Sequence, residues 1–197
     1  IDGWGYSILK NELMENYLML KKNRNQIPLQ NINSVLEYNL LTGKEAKSKK
    51  SNKFWSENLA FLTKKSKLLS YDLHDKTAAY VTKTFNPDIS VIQKLNQIAK
   101  ENKTSMKAIF LTKFIQTLKQ VYETSEVIIN NLYSGRTSEL SDPLNSLGLF
   151  WNILPFITKE EEELNYINIQ QKLNQYQEFA RFSPIEIKKM LDNTTPI

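Results

Sequence analysis

Few side chains in this sequence could carry chemistry, and they limit the reactions that it can support. His74 is the only histidine and there is no cysteine, which excludes a catalytic histidine pair, a cysteine nucleophile and a thiolate metal site. The sequence also lacks a Gly-rich phosphate loop and a serine in a nucleophile elbow. We interpret His74 as a partly exposed loop residue near the start of a predicted strand. No metal site is predicted.

Arg136 and Asn152 are polar residues beside or within apolar strands. Arg136 follows a predicted strand and a short turn, where a guanidinium needs a carboxylate partner. Asn152 lies between Phe150 and Leu154, where an unpaired amide would be costly. The simpler interpretation of both is structural, a salt bridge and a hydrogen-bonded amide. Asp2 is most simply the cap of a helix, whose dipole favours an acidic group at that end.

Composition defines the class of protein. Of the 197 residues, 41% are hydrophobic, which is too many for a disordered chain. No apolar run approaches the roughly 20 residues that span a bilayer. The length fits one ordinary domain or two small lobes, and the absence of cysteine fits a cytoplasmic location. Because the chain begins at Ile1 without a methionine or a leader, we expect it to be a piece of a longer protein.

The positive charge suggests a polyanion partner, but its distribution argues against one. The formal net charge is +5, and neutralising phosphates would favour binding to nucleic acid. However, nearly all of the charge comes from scattered lysines, and the only arginines are Arg24, Arg136 and Arg181. A nucleic-acid-binding module therefore remains only the weakest alternative.

Hydrophobic periodicity predicts the elements that must position these residues. Strands are predicted at residues 79–85, 126–133 and 149–157, the last two buried on both faces. Helices are predicted at residues 4–22, from 52 onward, and at 86–102, 104–122, 166–182 and 184–191. Residues 43–53 are predicted to form a flexible connection, and residues 32–41 are ambiguous. This order indicates a layered α/β fold.

Two of these helices carry apolar stripes that predict how they face the core. In the first, the stripe shares one helical face and comprises Leu9, Leu13, Tyr17 and Leu20. In the helix at 104–122, the predicted buried stripe comprises Phe110, Phe114, Leu118 and Val121.

Five segments, taken in order, make the chain recognisable. Asp2-Gly3-Trp4 resembles the end of a His-His-x-x-x-Asp-Gly motif, and Phe54-Trp55 resembles an aromatic-Trp segment. Thr104 opens a capped helix, and Ser134-Gly135-Arg136 is similar to a strand-end arginine. The strand from Leu147 to Pro155 resembles a Gly-x-Phe-x-Asn strand. Together these segments resemble the condensation domains of nonribosomal peptide synthetases.

This resemblance implies a fold and an activity. The fold is α/β and resembles chloramphenicol acetyltransferase, with a mixed β-sheet flanked by helices. Residues 1–70 correspond to the tail of the first lobe and the connecting segment, and residues 71–197 to a truncated second lobe. The family joins two substrates by an amide bond in a tunnel between the lobes. No cofactor binds directly, because phosphopantetheine arms of the partner carrier proteins hold the substrates.

The resemblance also implies roles for individual residues. The motif histidine, usually the general base, falls three residues upstream of Ile1, so no catalytic residue is expected in this chain and the chain alone should be inactive. Asp2 is expected to form a structural ion pair with Arg136. Gly3 and Trp4 belong to the same motif, and Gly3 would let the backbone approach the substrates. Asn152 and Phe150 are expected to line the tunnel.

The resemblance leaves alternatives open. Gly5 stands where serine is common in the family, and Ile153 stands where threonine is usual. Epimerisation domains share the histidine motif but usually place Val-Ser-Trp after Asp-Gly, so Trp4 directly after Gly3 favours the condensation type. A non-catalytic relative that recruits a partner is another alternative. Neighbouring synthetase domains are the implied partners, and apolar surface left by a missing first lobe would invite association.

Overall fold

A computed structural model describes residues 1–22, 34–60 and 82–192. Within these ranges the chain forms seven helices and two strands. In chain order they are α1 (Gly3–Lys21), α2 (Ser34–Ala46), α3 (Lys49–Leu59), α4 (Ile89–Glu101), α5 (Met106–Val121), β1 (Val127–Ser134), β2 (Trp151–Thr158), α6 (Tyr166–Glu178) and α7 (Pro184–Asp192).

The two strands form an antiparallel pair. The Thr158 hydroxyl at the end of β2 donates to the Val127 carbonyl at the start of β1, at 3.2 Å. At the other end, the Gly135 N–H donates to the Phe150 carbonyl. The α/β class is thereby confirmed. The sheet described is two-stranded and antiparallel rather than mixed. Residues 82–88 have no regular structure, and the rest of the strand predicted at 79–85 lies outside the described residues.

The prediction that β1 is buried on both faces is wrong. Its side chains alternate, with Val127, Asn131 and Tyr133 buried and Ile128 and Leu132 exposed. Alternation of this kind is typical of an antiparallel strand with one face on the core. The apolar run in the sequence therefore reflects β propensity rather than burial on both sides.

The chain divides into two compact units. The first consists of residues 1–59, 130–156 and 177–197. Its core contains an aromatic cluster in which the rings of Phe54 and Phe179 stack at 4.0 Å. Trp55, fully buried, lies 6.2 Å from the ring of Phe182. These contacts join α3 to the segment between α6 and α7.

The second unit consists of residues 60–129 and 157–176. Most of its buried side chains come from α5, α6 and the end of β2, and Ala99 of α4 and Val127 of β1 are buried as well. The Ser105 hydroxyl donates to Gln170 Oε1 at 2.6 Å, which ties the start of α5 to α6. The ion pair between Lys172 and Glu162, at 2.5 Å, joins α6 to the segment between β2 and α6.

Most residues of the predicted apolar stripes of α1 and α5 are exposed. In α5 the buried residues are Ala108, Ile109, Leu111, Thr112 and Ile115, whereas Phe110 and Phe114 are more than half exposed. In α1 the predicted stripe is also exposed, and the only buried residue of the helix is Gly5. The periodicity predicts both helices correctly. It does not predict which face of each helix is buried.

The flexible connection predicted at residues 43–53 is helical instead. Helix α2 continues through Gly43 to Ala46, and α3 begins at Lys49. Lys47 and Ser48 separate them, and the Ser48 hydroxyl accepts from the Ser51 N–H at 3.3 Å as an N-cap does. None of the helices described is long and apolar enough to cross a membrane.

Candidate functional site

Asp2 joins the start of α1 to the segment before β2. It is the N-cap of the helix, where its Oδ1 accepts from the Gly5 N–H at 2.7 Å. Its own N–H donates to the Gly148 carbonyl at 3.1 Å. Its Oδ2 accepts from the Phe150 N–H at 3.2 Å. The side chain therefore stabilises a helix end and a strand start at once.

The expected ion pair between Asp2 and Arg136 is present. Arg136 Nη2 lies 2.8 Å from Asp2 Oδ1, and Nε lies 3.3 Å from Oδ2, so the guanidinium meets the carboxylate with two N–H groups. The side chains are 6% and 8% exposed. A pair this deeply buried must satisfy its remaining hydrogen-bonding groups within the protein.

Backbone carbonyls and an aromatic ring supply what the arginine still needs. Arg136 Nη1 donates to the Ser146 carbonyl at 2.9 Å and also to the Pro143 carbonyl. The centre of the Phe150 ring lies 4.2 Å from the guanidinium carbon, within the range of a cation–π contact. The guanidinium of Arg136 is therefore buried, and its charge is paired within the protein rather than solvated.

The environment of Asp2 keeps its carboxylate ionised. Burial alone would raise the pKa of Asp2, but the hydrogen bonds from Arg136, Gly5 and Phe150, together with the charge of Arg136, hold the pKa below its ordinary value of 3.8. Both oxygens are occupied by these donors. Asp2 is therefore a structural anion and not a free base.

This depressed pKa predicts a loss of stability in acid. A carboxyl whose folded pKa lies below its unfolded value contributes stability above the unfolded value, and this contribution disappears as the pH falls through the folded pKa. We expect the urea midpoint of the wild-type chain to exceed that of Asp2→Asn most at neutral pH. The difference should shrink as the pH falls below 3.8, the ordinary value. A difference that is independent of pH would contradict this prediction.

Trp4 and Gly3 occupy different environments beside Asp2. The Trp4 indole N–H donates to the Leu144 carbonyl at 2.8 Å, while about half of the side chain stays exposed. Around Gly3, an added Cβ would meet nothing within 4 Å. No packing within the described chain requires glycine at this position, so close approach to a substrate stays a prediction.

The two residues expected to line a tunnel are in structural positions. Asn152 Nδ2 donates to the carbonyls of Ala180 and Phe182, at 3.0 and 2.8 Å, and holds the segment between α6 and α7 against β2. Phe150 is 1% exposed and packs on Tyr38, with ring centres 5.4 Å apart. Phe150 therefore packs in the core beneath Arg136, and the tunnel-lining roles of Phe150 and Asn152 stay predictions.

The amide of Asn152 makes a second testable contribution to stability. We expect Asn152→Asp to lower the free energy of unfolding by about 2–3 kcal/mol, because a carboxylate oxygen would face two carbonyl oxygens that now accept hydrogen bonds. Asn130→Asp, an exposed change on β1, is the control and should alter stability by less than about 0.5 kcal/mol. Equal urea midpoints for the two variants would show that these hydrogen bonds contribute little.

Several functional contacts were beyond sequence reasoning. Arg136 and Trp4 donate to the backbone carbonyls of Pro143, Leu144 and Ser146. The pattern of side chains in the sequence does not indicate these acceptors. Every residue has a carbonyl, so composition cannot single these out. The available signal is the Asp142-Pro143 dipeptide, which marks a turn in the loop that follows the arginine.

The described residues include an apolar cavity in the first unit, and no metal site is found among them. A cavity of about 340 Å³ in the first unit is lined by Asn130, residues 153–155, Pro184, Ile187 and Lys188. Among the residues described, no group of three or more His, Cys, Asp or Glu could hold a metal ion.

Comparison with known proteins relates this geometry to a family of synthetase domains. Gramicidin S synthase 2 of Brevibacillus brevis is 28% identical over 188 residues, covering 89% of this chain and 4% of that protein. Surfactin synthase subunit 2 of Bacillus subtilis is 27% identical over 178 residues, covering 89% of this chain and 5% of that protein. The chain thus spans a small fraction of the length of these relatives.

A solved structure and a family model complete the comparison. The crystal structure of the epimerization domain from the third module of tyrocidine synthetase B matches with a TM-score of 0.56 at 19% identity, covering all of this chain and 46% of that one. At this identity the match shows the fold alone. The model of the Condensation domain matches residues 1–186. With its paired Asp2 and Arg136 lying inside that match, the chain belongs to the condensation domain family.

Proposed function

We propose that the protein containing this chain forms an amide bond between two substrates that carrier proteins present as thioesters, as a condensation domain of a nonribosomal peptide synthetase. The observation that carries the proposal is the buried, two-point ion pair between Asp2 and Arg136. It joins two of the segments on which the resemblance rests, 134 residues apart in the sequence. The family match over residues 1–186 supports the same function.

The proposed reaction assigns the described residues to positioning rather than to proton transfer. The acceptor amine attacks the donor thioester carbonyl, the C–N bond forms, and the C–S bond breaks to release a thiol. The amine must lose a proton, but Asp2 is ionised and both of its oxygens are occupied. The resemblance assigns this role to the motif histidine, which it places upstream of Ile1. Asp2 and Arg136 fix the backbone that follows that motif.

The finer features of the fold and of its surroundings belong to the same proposal. The fold is of the chloramphenicol acetyltransferase type, with residues 1–70 as the tail of the first lobe and residues 71–197 as the second. The partners are carrier proteins, whose phosphopantetheine arms hold the substrates, and neighbouring synthetase domains. The exposed apolar side chains of α1 support a packing surface for another part of such an assembly. The proposed location is the cytoplasm.

The test is single-turnover amide formation by the complete protein with its two loaded carriers, followed by mass spectrometry of the acceptor carrier. Wild-type protein should form the amide. We expect Arg136→Lys to slow the reaction by about tenfold or more, because a lysine cannot contact both carboxylate oxygens. Arg181→Lys is the matched control, since Arg181 pairs with Glu139, a residue with a mostly exposed carboxylate. Failure of the wild-type protein to form amide overturns the proposal.

Epimerisation is the second candidate function, an alternative that the shared histidine motif leaves open, and a solved epimerization domain shares the fold of this chain. An epimerase would exchange the α-proton of a single carrier-bound aminoacyl group with solvent. Incubation in deuterated buffer therefore discriminates the two reactions, because deuterium uptake without amide formation identifies the epimerase. A recruiting relative without catalysis would bind a partner and give neither product.

A further inference from the structure

The loop of residues 141–146 holds both Arg136 and Trp4, so whatever holds this loop also controls the start of α1. The carbonyls of Pro143 and Ser146 accept from Arg136, and the carbonyl of Leu144 accepts from the Trp4 indole. These three acceptors are backbone atoms. Their positions therefore depend on the conformation of the loop.

Two residues of α2 hold the first part of this loop. The carboxylate of Glu37 accepts from the Ser141 N–H at 2.9 Å through Oε2 and from the Ser141 hydroxyl at 2.8 Å through Oε1. Ser34, fully buried, accepts from the Asp142 N–H at 3.1 Å. Its hydroxyl lies 3.5 Å from that of Ser141 and must be the donor there, because Ser141 already donates to Glu37.

Asp142 passes this constraint to the rest of the loop. Its carboxylate accepts from the Asn145 side-chain amide at 2.9 Å, and its carbonyl accepts from the Ser146 hydroxyl at 2.6 Å. These bonds close a turn around residues 143–146, the residues whose carbonyls face Arg136 and Trp4. A continuous set of hydrogen bonds therefore runs from Glu37 through the loop to the ion pair of Asp2.

We propose that Glu37 is a positioning residue of the condensation site, which holds the 141–146 loop through Ser141 and thereby fixes Arg136 and Trp4. The catalytic part of this inference rests on the proposed function, whereas the structural part does not. The N–H and the hydroxyl of Ser141 hold the pKa of Glu37 below its ordinary value of 4.5, so the carboxylate is ionised and both of its oxygens accept.

The test of the structural part is hydrogen exchange of the Trp4 indole N–H, measured by NMR on the full 197-residue chain. The signal is assigned with Trp4→Phe. Glu37→Ala should speed this exchange by at least about fivefold, because the loop that supplies the acceptor loses its anchor. Ser141→Ala, at an exposed position, should act in the same direction, and Glu37→Gln should restore much of the protection because its amide can still accept from the Ser141 N–H.

Glu45→Ala is the matched control. Glu45 lies on the same helix and also accepts from a serine hydroxyl, that of Ser51, but its partner belongs to α3 and not to the loop. Its Trp4 exchange should equal that of the wild type. Unchanged exchange in Glu37→Ala and Ser141→Ala, or equally fast exchange in Glu45→Ala, would overturn the proposal.

Activity of the complete protein tests the catalytic part. We expect Glu37→Ala to lower kcat for amide formation by about tenfold, with Glu45→Ala unchanged, since small displacements at a site reduce turnover strongly. Fast Trp4 exchange with a normal kcat would overturn the catalytic role. If the wild-type protein forms no amide, the proposed function has failed, and the exchange measurements alone then decide whether Glu37 holds the loop.

Discussion

Asp2→Ala is expected to lower the free energy of unfolding by about 3–5 kcal/mol, because it leaves the Arg136 guanidinium buried without its anion. Arg136 cannot turn to solvent, since the carbonyls of Pro143 and Ser146 hold it and the Phe150 ring covers it. The Phe150 N–H also loses its acceptor. For a chain of this size, such a loss corresponds to a fall in Tm of roughly 6–20 °C.

Asp88→Ala is the control that isolates the ion pair from helix capping. Asp88 is the N-cap of α4 and accepts from the Ser90 N–H at 2.8 Å, as Asp2 accepts from Gly5, but it is exposed, and neither Arg136 nor Arg181, the arginines of the described residues, pairs with it. Its replacement should cost far less than that of Asp2. The measurement is the urea midpoint and Tm of each variant. Similar losses for both would mean that Asp2 acts only as a cap and that its pairing with Arg136 adds no stability.

The starts of three helices could be predicted because an N-cap is a local contact. A short polar side chain accepts from an N–H two or three residues further along, so residue type and neighbouring sequence suffice to recognise it. In each case the structure places the side-chain oxygen on such an N–H. The caps in the structure are Asp2, as predicted, and Asp88 and Ser105, which lie two residues and one residue after the predicted starts of their helices.

The helices α2 and α3 were partly missed because long-range packing outweighs local propensity there. Gly43 inside α2 and the Lys- and Ser-rich segment that follows it favour a loop on intrinsic preference. The anchors of the two helices are Tyr38, which packs on Phe150, and Trp55, which stacks on Phe182. Those partners lie about a hundred residues away or more, so no window of sequence around Gly43 contains them.

The buried face of α5 could not be chosen from periodicity alone. Its apolar residues fall on two faces, each with helical spacing, and the larger side chains of Phe110 and Phe114 favoured the wrong one. The structure buries Ala108, Thr112 and Ile115 instead. The spacing of the apolar residues indicates that a helix forms. Which face of the helix is buried depends on the elements that pack against it.

The candidate site shows the same division. The ion pair of Asp2 with Arg136 could be expected because both ends carry recognisable motifs and a buried charge needs a partner. The hydrogen bonds from Ser141 to Glu37 could not be expected from the sequence. Neither residue lies in a motif, and the contact between them depends on where α2 packs.

Gly135→Ala is the second substitution with a large expected effect, and we expect it to lower the free energy of unfolding by about 3 kcal/mol or more. An added Cβ would lie 2.7 Å from the Phe150 carbonyl oxygen and would overlap the ring of Tyr38. The carbonyl cannot retreat without losing the hydrogen bond that it accepts from the Gly135 N–H at the end of the sheet. The ring cannot retreat either, because it is buried against Phe150.

Gly43→Ala is the matched control, since Gly43 lies within α2, the helix that also carries Tyr38. An added Cβ there meets nothing within 4 Å, so the change should raise stability by about 0.5–1 kcal/mol through helix propensity. The two variants should therefore shift the urea midpoint in opposite directions. A Gly135→Ala variant as stable as the wild type would mean that Tyr38 and the end of β1 can move apart at little cost. In that case the position of Arg136, the next residue, would depend on its own hydrogen bonds rather than on the packing beneath the turn.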